Sequence, residues 1–264
     1  MTRQLDLFEQ PPDQLQPKQC APLPCAPPDP ATLNDEALLA DLPYVSLSIC
    51  RGMVAEALAR RLPGTVPALE ALARRFMGFS RNRIIPEQTI GLDSLVALGG
   101  QDAAQAVARL ITQSVVEGPG LPAAVSAAAK LKARLPPVAL DPLLRHDLPE
   151  VRTAACGCAG SQSAPLLIEL LADLHPQVAS AAACALGRLG HPEARPMLKR
   201  LLAQSPTPEV IEALGPIADD EALVLLGRVA RRHPHLKDAV VTALESADSP
   251  TAATIIASLA KSQM

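Results

Sequence analysis

Leu148-Pro149-Glu150-Val151 returns as His175-Pro176-Gln177-Val178 and again as Thr207-Pro208-Glu209-Val210, with looser versions at Ile85-Pro86-Glu87 and Ser249-Pro250-Thr251. In each phrase a short turn leads into proline, an acidic or amide residue follows, and an apolar run comes next. Proline suits the first helical position, because its fixed φ is already helical and its missing N–H would have had no partner there. Each phrase therefore starts a helix. The three valines stand 27 and then 32 residues apart, a spacing in the range of solenoid repeats.

A second phrase follows at a matching offset: Ala185-Leu186-Gly187 and Ala213-Leu214-Gly215, with Ala97-Leu98-Gly99 earlier. A glycine in left-handed conformation ends many helices, so each of these is expected to close one helix before the next opens. Apolar runs follow at Ala164-Pro165-Leu166-Leu167-Ile168, at Ala194-Arg195-Pro196-Met197-Leu198 and at Ala222-Leu223-Val224-Leu225-Leu226. Two helices per unit of about 30 residues is the expected result.

Composition agrees. Of 264 residues 48% are hydrophobic but only 2% aromatic, with no Trp, so the core must consist of Ala, Leu, Val and Ile. Ala and Leu are strong helix formers, and an all-α fold follows. The net charge of -3 gives no global attraction to nucleic acid or anionic membranes. The six cysteines fall at no regular spacing, the first ten residues are polar and charged, and no uncharged apolar run could span a bilayer. These features point to a cytoplasmic protein without a disulfide framework.

From Pro11 to Pro30 eight prolines alternate with Gln, Asp and Lys, which favours solvated, extended chain. Asn34-Asp35-Glu36 then offers a cap and an acidic first turn ahead of Ala37-Leu38-Leu39. The expected organisation is a disordered tail over 1–33 and an α-solenoid of stacked helix pairs over 34–264. Glu117-Gly118-Pro119-Gly120-Leu121-Pro122 interrupts the periodicity, and a hinge or a long loop between two stacks is expected at 117–122.

The Pro-x-Val start, the Ala-Leu-Gly phrase and the trailing Leu-Leu pairs resemble the short bacterial HEAT-like repeats, a class also found in phycobilisome lyases. The resemblance is clear from about 140 to 261 and weaker from 34 to 140. It implies an α-solenoid, with no implication of bilin chemistry. The arginine that often follows the valine in such repeats is present as Arg152, but Ala179 and Ile211 replace it in the next two units.

Gln4-Leu5-Asp6-Leu7-Phe8 looks like the peptide with which bacterial proteins bind the DNA polymerase sliding clamp, in all five positions. The resemblance makes Gln4 a hydrogen-bonding anchor and Leu7 and Phe8 the residues that fill an apolar cleft, with Leu5 and Asp6 in support. Such a pattern arises by accident in about one chain in 2,000 of this length, and in about one in 100 once looser variants are admitted. The alternative is that Leu5, Leu7 and Phe8 begin a short amphipathic segment that docks back onto the repeats.

A second candidate is basic. Between 51 and 83 the arginines at 51, 60, 61, 74, 75, 81 and 83 face only Glu56 and Glu70, a local charge of +5. Arg74, Arg75, Arg81 and Arg83 interleave with Phe76 and Phe79, a pattern that suits phosphate contacts with an aromatic stacked on a base. It suits equally a solvated helix face with both phenylalanines in the core. HEAT-like DNA glycosylases bind duplex DNA on a basic concave face, but nothing here matches their catalytic constellation.

Cys156-Gly157-Cys158 is too tight for the usual structural zinc spacing, and Cys184 lies one repeat later, so these thiols read as small core residues. Cys20 and Cys25 stand in the tail. His175, His191 and His233 each precede a proline at a turn, and Asp219-Asp220-Glu221 reads as a helix start. No catalytic constellation, metal site or cofactor is expected. The sequence points to a non-enzymatic scaffold for protein partners, tethered to the sliding clamp. Its alternatives are a generic HEAT-like scaffold without a DNA link, a nucleic-acid-binding repair accessory, or a lyase-like accessory factor.

Overall fold

The computed structural model describes residues 29–247 and 249–261, so the peptide at 4–8 and the cysteines at 20 and 25 lie outside the described residues. The described chain is helical throughout, without strands. Its first helices are α1 (Asp35–Asp41), α2 (Leu47–Ala59), α3 (Thr65–Arg74), α4 (Pro86–Leu98) and α5 (Gly100–Thr112). The middle of the chain forms α6 (Leu121–Lys130), α7 (Pro137–Leu144), α8 (Pro149–Gly157), α9 (Ala164–Leu170) and α10 (Pro176–Arg188). The remainder forms α11 (Arg195–Gln204), α12 (Pro208–Leu214), α13 (Asp220–Arg232), α14 (Lys237–Ser246) and α15 (Pro250–Lys261).

The starts fall where the sequence puts them. Pro86, Pro149, Pro176, Pro208 and Pro250 are the first residues of α4, α8, α10, α12 and α15. Asn34 caps α1 by accepting the Ala37 N–H at 2.8 Å, and Asp219 caps α13 by accepting that of Ala222 at 2.8 Å.

The helices form two layers. The even-numbered ones from α2 to α14 stack on one another in chain order, and the odd-numbered ones from α3 to α15 lie alongside, each against at least one even neighbour. This is an α-solenoid, in which each unit buries its apolar face only against the next. Val151, Val178 and Val210, the valines of the recurring phrase, are all buried, as are Leu186 and Leu214 of the second phrase. The largest fully buried side chains are leucines, with Met53 the exception.

The glycines of the second phrase work differently from the expectation. Gly99 does take a positive φ of 66°, but Gly187 lies inside α10 and Gly215 has a φ of -47°. They are there for space between helices. A Cβ on Gly187 would be driven into the Ala213 carbonyl group, 2.9 Å from its carbon, and would meet Leu198 Cδ1 at 2.8 Å. A Cβ on Gly215 would stand 2.8 Å from the Ala243 carbonyl oxygen. The glycine of one unit thus lets the next even-numbered helix approach backbone to backbone. The left-handed residue that closes α10 is Gly190, at φ 83°, where the His191 N–H returns to the Leu186 carbonyl at 3.0 Å.

Helix packing continues across 117–122, since both α4 and α5 touch α6. A 3-10 helix, Gly118–Gly120, leads into α6, and the Glu117 N–H donates to the buried Ser80 hydroxyl at 3.1 Å. Nearby, the buried Gln88 amide donates at 3.1 Å to both the Ala73 and the Val115 carbonyls, joining the ends of α3 and α5 to α4. Gln88→Leu is expected to cost about 1–3 kcal/mol, because an apolar replacement strands carbonyls away from water. Urea unfolding should show a lower midpoint at an unchanged slope.

Candidate interaction surface

The loop between α3 and α4 carries most of the residues that the sequence singles out, and its shape follows from a few backbone bonds. After α3 the chain tightens through N–H donation from Met77 to the Arg74 carbonyl at 3.0 Å and from Phe79 to that of Phe76 at 3.1 Å. Gly78, at φ 82°, supplies the left-handed step between them. Ser80 is then buried and Arg81 is drawn to Glu117, Nε to Oε2 at 3.0 Å.

This turn separates the two phenylalanines. Phe76 packs half-buried against the core, whereas Phe79 is 61% exposed, so only one of them joins the core. Met77 at 55%, Ile84 at 59% and Tyr44 at 76% are exposed too, with Leu47 beside Tyr44 in sequence. Met77, Phe79 and Ile84 share the loop between α3 and α4. The Arg75 guanidinium donates to the Val45 carbonyl at 3.1 Å, which ties this loop to the segment entering α2. α4 in turn packs against α2. Large apolar side chains grouped on a surface mark an interaction site more often than scattered ones do.

The four arginines are not equivalent. Arg74 donates to Glu70, Nη2 to Oε1 at 2.6 Å, and Arg109 clasps the same carboxylate with contacts of 2.6 and 3.0 Å. Burial pushes the Glu70 carboxyl up, but the hydrogen bonds and charges of Arg109 and Arg74 outweigh it and leave the group below its usual range. Arg74 is therefore part of a structural ion triad between α3 and α5. Arg75 holds the Val45 carbonyl and lies 5.2 Å from the Phe76 ring centre. Arg81 is paired with Glu117, while Arg83 stands exposed. The structure joins none of the four to a common partner. The sequence signal that was missed is Ile84, whose position two residues before a helix-opening proline leaves it outside the turn.

Elsewhere, a cleft of ≈ 490 Å³ opens between α3 and α5, lined by Leu62, Gly64, Val66, Leu98, Asp102 and Arg109. Its one cation is already committed to Glu70. Cys156 and Cys158 are buried, and burial pushes both thiols up to about 12, so they are not nucleophiles at neutral pH. Cys184, half-buried, is raised as well by desolvation. Among the described residues no three His, Cys, Asp or Glu side chains are grouped to hold a metal ion. No described helix is long and apolar enough to cross a membrane.

Arg152 marks the repeat itself. Its guanidinium grips both oxygens of Asp173 at 2.9 and 3.0 Å and donates to the His146 and Asp147 carbonyls at 2.8 and 3.1 Å, bridging the turn before α8 to the turn before α10. Further on, Arg195 at the start of α11 reaches the Ile217 carbonyl at 2.6 Å.

Residues 136–215 match the family of HEAT repeats. No curated protein matches the chain. Among solved structures the chain is similar to the X-ray structure of YibA of Escherichia coli, at 14% identity over 83% of this chain and 93% of that one, with a TM-score of 0.42. Repeats of this kind generally present extended surfaces to protein partners. The match to HEAT repeats thus spans α7 to α12, and the described chain as a whole is an all-helical α-solenoid.

Proposed function

We infer that this chain is a non-catalytic adaptor: its solenoid presents protein-binding surface, and its N-terminal peptide docks that surface to the DNA polymerase sliding clamp. The observation that carries the clamp half is the five-position match of Gln4, Leu5, Asp6, Leu7 and Phe8, set ahead of a proline-rich stretch. The HEAT-repeat match supports the scaffold half. About twenty residues between the peptide and Asp29, the first described residue, give a tether that lets the solenoid search some tens of ångströms around its anchor.

Burying Leu7 and Phe8 in an apolar cleft contributes about 3–6 kcal/mol before ordering costs, which alone corresponds to a Kd between about 40 µM and several millimolar, so a micromolar complex also draws on the Gln4 hydrogen bond and the backbone contacts of the docked peptide. A labelled peptide of residues 1–10 should therefore bind purified bacterial clamp by fluorescence anisotropy with a Kd of about 1–100 µM. Leu7→Ala/Phe8→Ala in the full chain should weaken clamp binding at least about tenfold, with the helical circular dichroism and melting curve unchanged. A peptide that shows no binding, or a double variant that binds as well as the parent, would remove the clamp from the reading and leave the scaffold.

A further inference from the structure

Arg228, Arg231, Arg232 and Lys237 put four positive charges into residues 228–237, a stretch without Asp or Glu in a chain of net charge -3. We propose that this corner, where α13 turns into α14 beside α15, is a docking surface for the phosphodiester backbone of a nucleic acid.

The four cations form one patch. Arg228, Arg231 and Arg232 lie in α13 at spacings of three and four residues, which places Arg228 beside both of the others on one side of the helix. Arg231 donates from Nη2 to the Ser258 hydroxyl at 3.2 Å, and Lys237 donates from Nζ to the Leu259 carbonyl at 3.1 Å. Ser258 and Leu259 are consecutive residues of α15, so that helix holds these two cations next to each other although α13 ends between them. The three arginines are exposed and Lys237 is half-buried.

No carboxylate neutralises the patch. The bonds of Arg231 and Lys237 go to uncharged groups, and among the described residues Arg228 and Arg232 form no ion pair. α15 contains no acidic residue, and Asp238, the first acid after the stretch, pairs with none of the four. The N-terminal arginines differ in this respect, because Arg74 and Arg81 face carboxylates and Arg75 a carbonyl. The last turns of α13 and α15 lie close here, and cations are stabilised at such ends. Each end carries only about half a negative charge, however, so the two together offset about one charge of the four.

The surroundings favour phosphate over protein or lipid. A protein interface centres on large apolar or aromatic anchors and is depleted of charge at its core, while a helix that lies on a membrane presents an apolar face to the lipid. In α13, α14 and α15 the one large apolar side chain that is exposed among the described residues is Val224, a turn before Arg228. Three of the four cations are arginines, whose planar guanidinium meets two phosphate oxygens at once. Contacts of this kind read no bases, so binding is non-specific and salt-dependent.

The test is fluorescence anisotropy with the full chain and a labelled single strand of about 20 nucleotides, or the matching duplex, at increasing salt. With three or four phosphates engaged, log Kd should rise with log salt at a slope of about 2–3 for the single strand and about 3–4 for the duplex. The tighter of the two identifies the strand form that the corner takes. Arg228→Gln/Arg232→Gln should weaken binding at least about tenfold at about 50 mM salt and lower the slope by about 1.5. Helical circular dichroism should not change, since both side chains are exposed and unpaired among the described residues. Arg51→Gln/Arg83→Gln removes two exposed cations from the N-terminal basic stretch and should alter the affinity less than about twofold. Binding of neither oligonucleotide at about 50 mM salt, or equal binding by parent and corner variant, would overturn the proposal. So would loss of binding in the N-terminal variant alone, or displacement by poly-glutamate at equal charge concentration, which would make the partner an acidic protein. The inference goes beyond the clamp reading and does not depend on it: Leu7→Ala/Phe8→Ala should bind the oligonucleotides as the parent does, so the two readings fail separately.

Discussion

Gly187→Ala is expected to lower the stability of this protein by about 3 kcal/mol, although it replaces the second-worst helix former by the best in the middle of a helix. Propensity alone would favour the change by about 1 kcal/mol. Packing opposes it more strongly, because the new methyl would run into the Ala213 carbonyl and stand 2.8 Å from Leu198 Cδ1. A leucine tip can rotate away; a peptide group in the next helix cannot move without shifting α12. Gly91→Ala is the matching control. It lies inside α4 of the same layer, where the new Cβ would meet only the Leu69 carbonyl oxygen at an ordinary 3.5 Å, and it is expected to be neutral or to stabilise by up to about 1 kcal/mol. Thermal unfolding should separate them in sign, with the Gly187 variant melting about 6–12 °C lower. Equal melting temperatures would show that α10 and α12 do not approach as closely as described.

Arg152→Ala should cost about 2–3 kcal/mol at neutral pH. The Asp173 side chain is only 8% exposed, and without Arg152 it keeps just the His175 N–H at 2.8 Å. The loss belongs near the lower end for a broken buried pair, because the turn lies close to solvent that screens the remaining charge. Arg152→Lys should recover only part of it, since an ammonium cannot hold both carboxylate oxygens and two carbonyls in one plane. The pH dependence provides a second reading. The Arg152 hydrogen bonds hold the Asp173 carboxyl below its ordinary value of 3.8, against a smaller upward push from burial. A depressed folded pKa adds stability above the unfolded value, and that addition is lost as pH falls through the folded one. The gap between parent and variant in urea unfolding should therefore be full at pH 7 and narrow below about pH 4. A gap that stays constant to pH 3 would mean that the carbonyl bonds to His146 and Asp147 carry the effect.

Much of the scaffold was legible because its signals are local. A proline that opens a helix, an asparagine or aspartate that caps one, and a valine that faces inward act through neighbours a few residues away, so Pro149, Pro176, Pro208, Asn34 and Asp219 could be placed by reading alone. The arginine cluster was legible only as composition. Its charge count gave no hint that Arg74 is drawn into a triad with Glu70 by Arg109, a residue 39 positions from that glutamate.

The sequence by itself determined that the chain is helical, where five of its helices begin, and that its core is made of small and branched aliphatic side chains. It also carries, outside the described residues, the peptide on which the clamp proposal stands. The tertiary structure decided what the repeated glycines are for, because the nearness of Gly187 to Ala213 exists only once α10 and α12 are stacked. It likewise decided that Phe76 turns inward and Phe79 outward, since Gly78 and the anchoring of Ser80 set that turn. Periodicity records which face of a helix is apolar; which backbone comes to lie against that face depends on contacts between residues that the sequence keeps far apart.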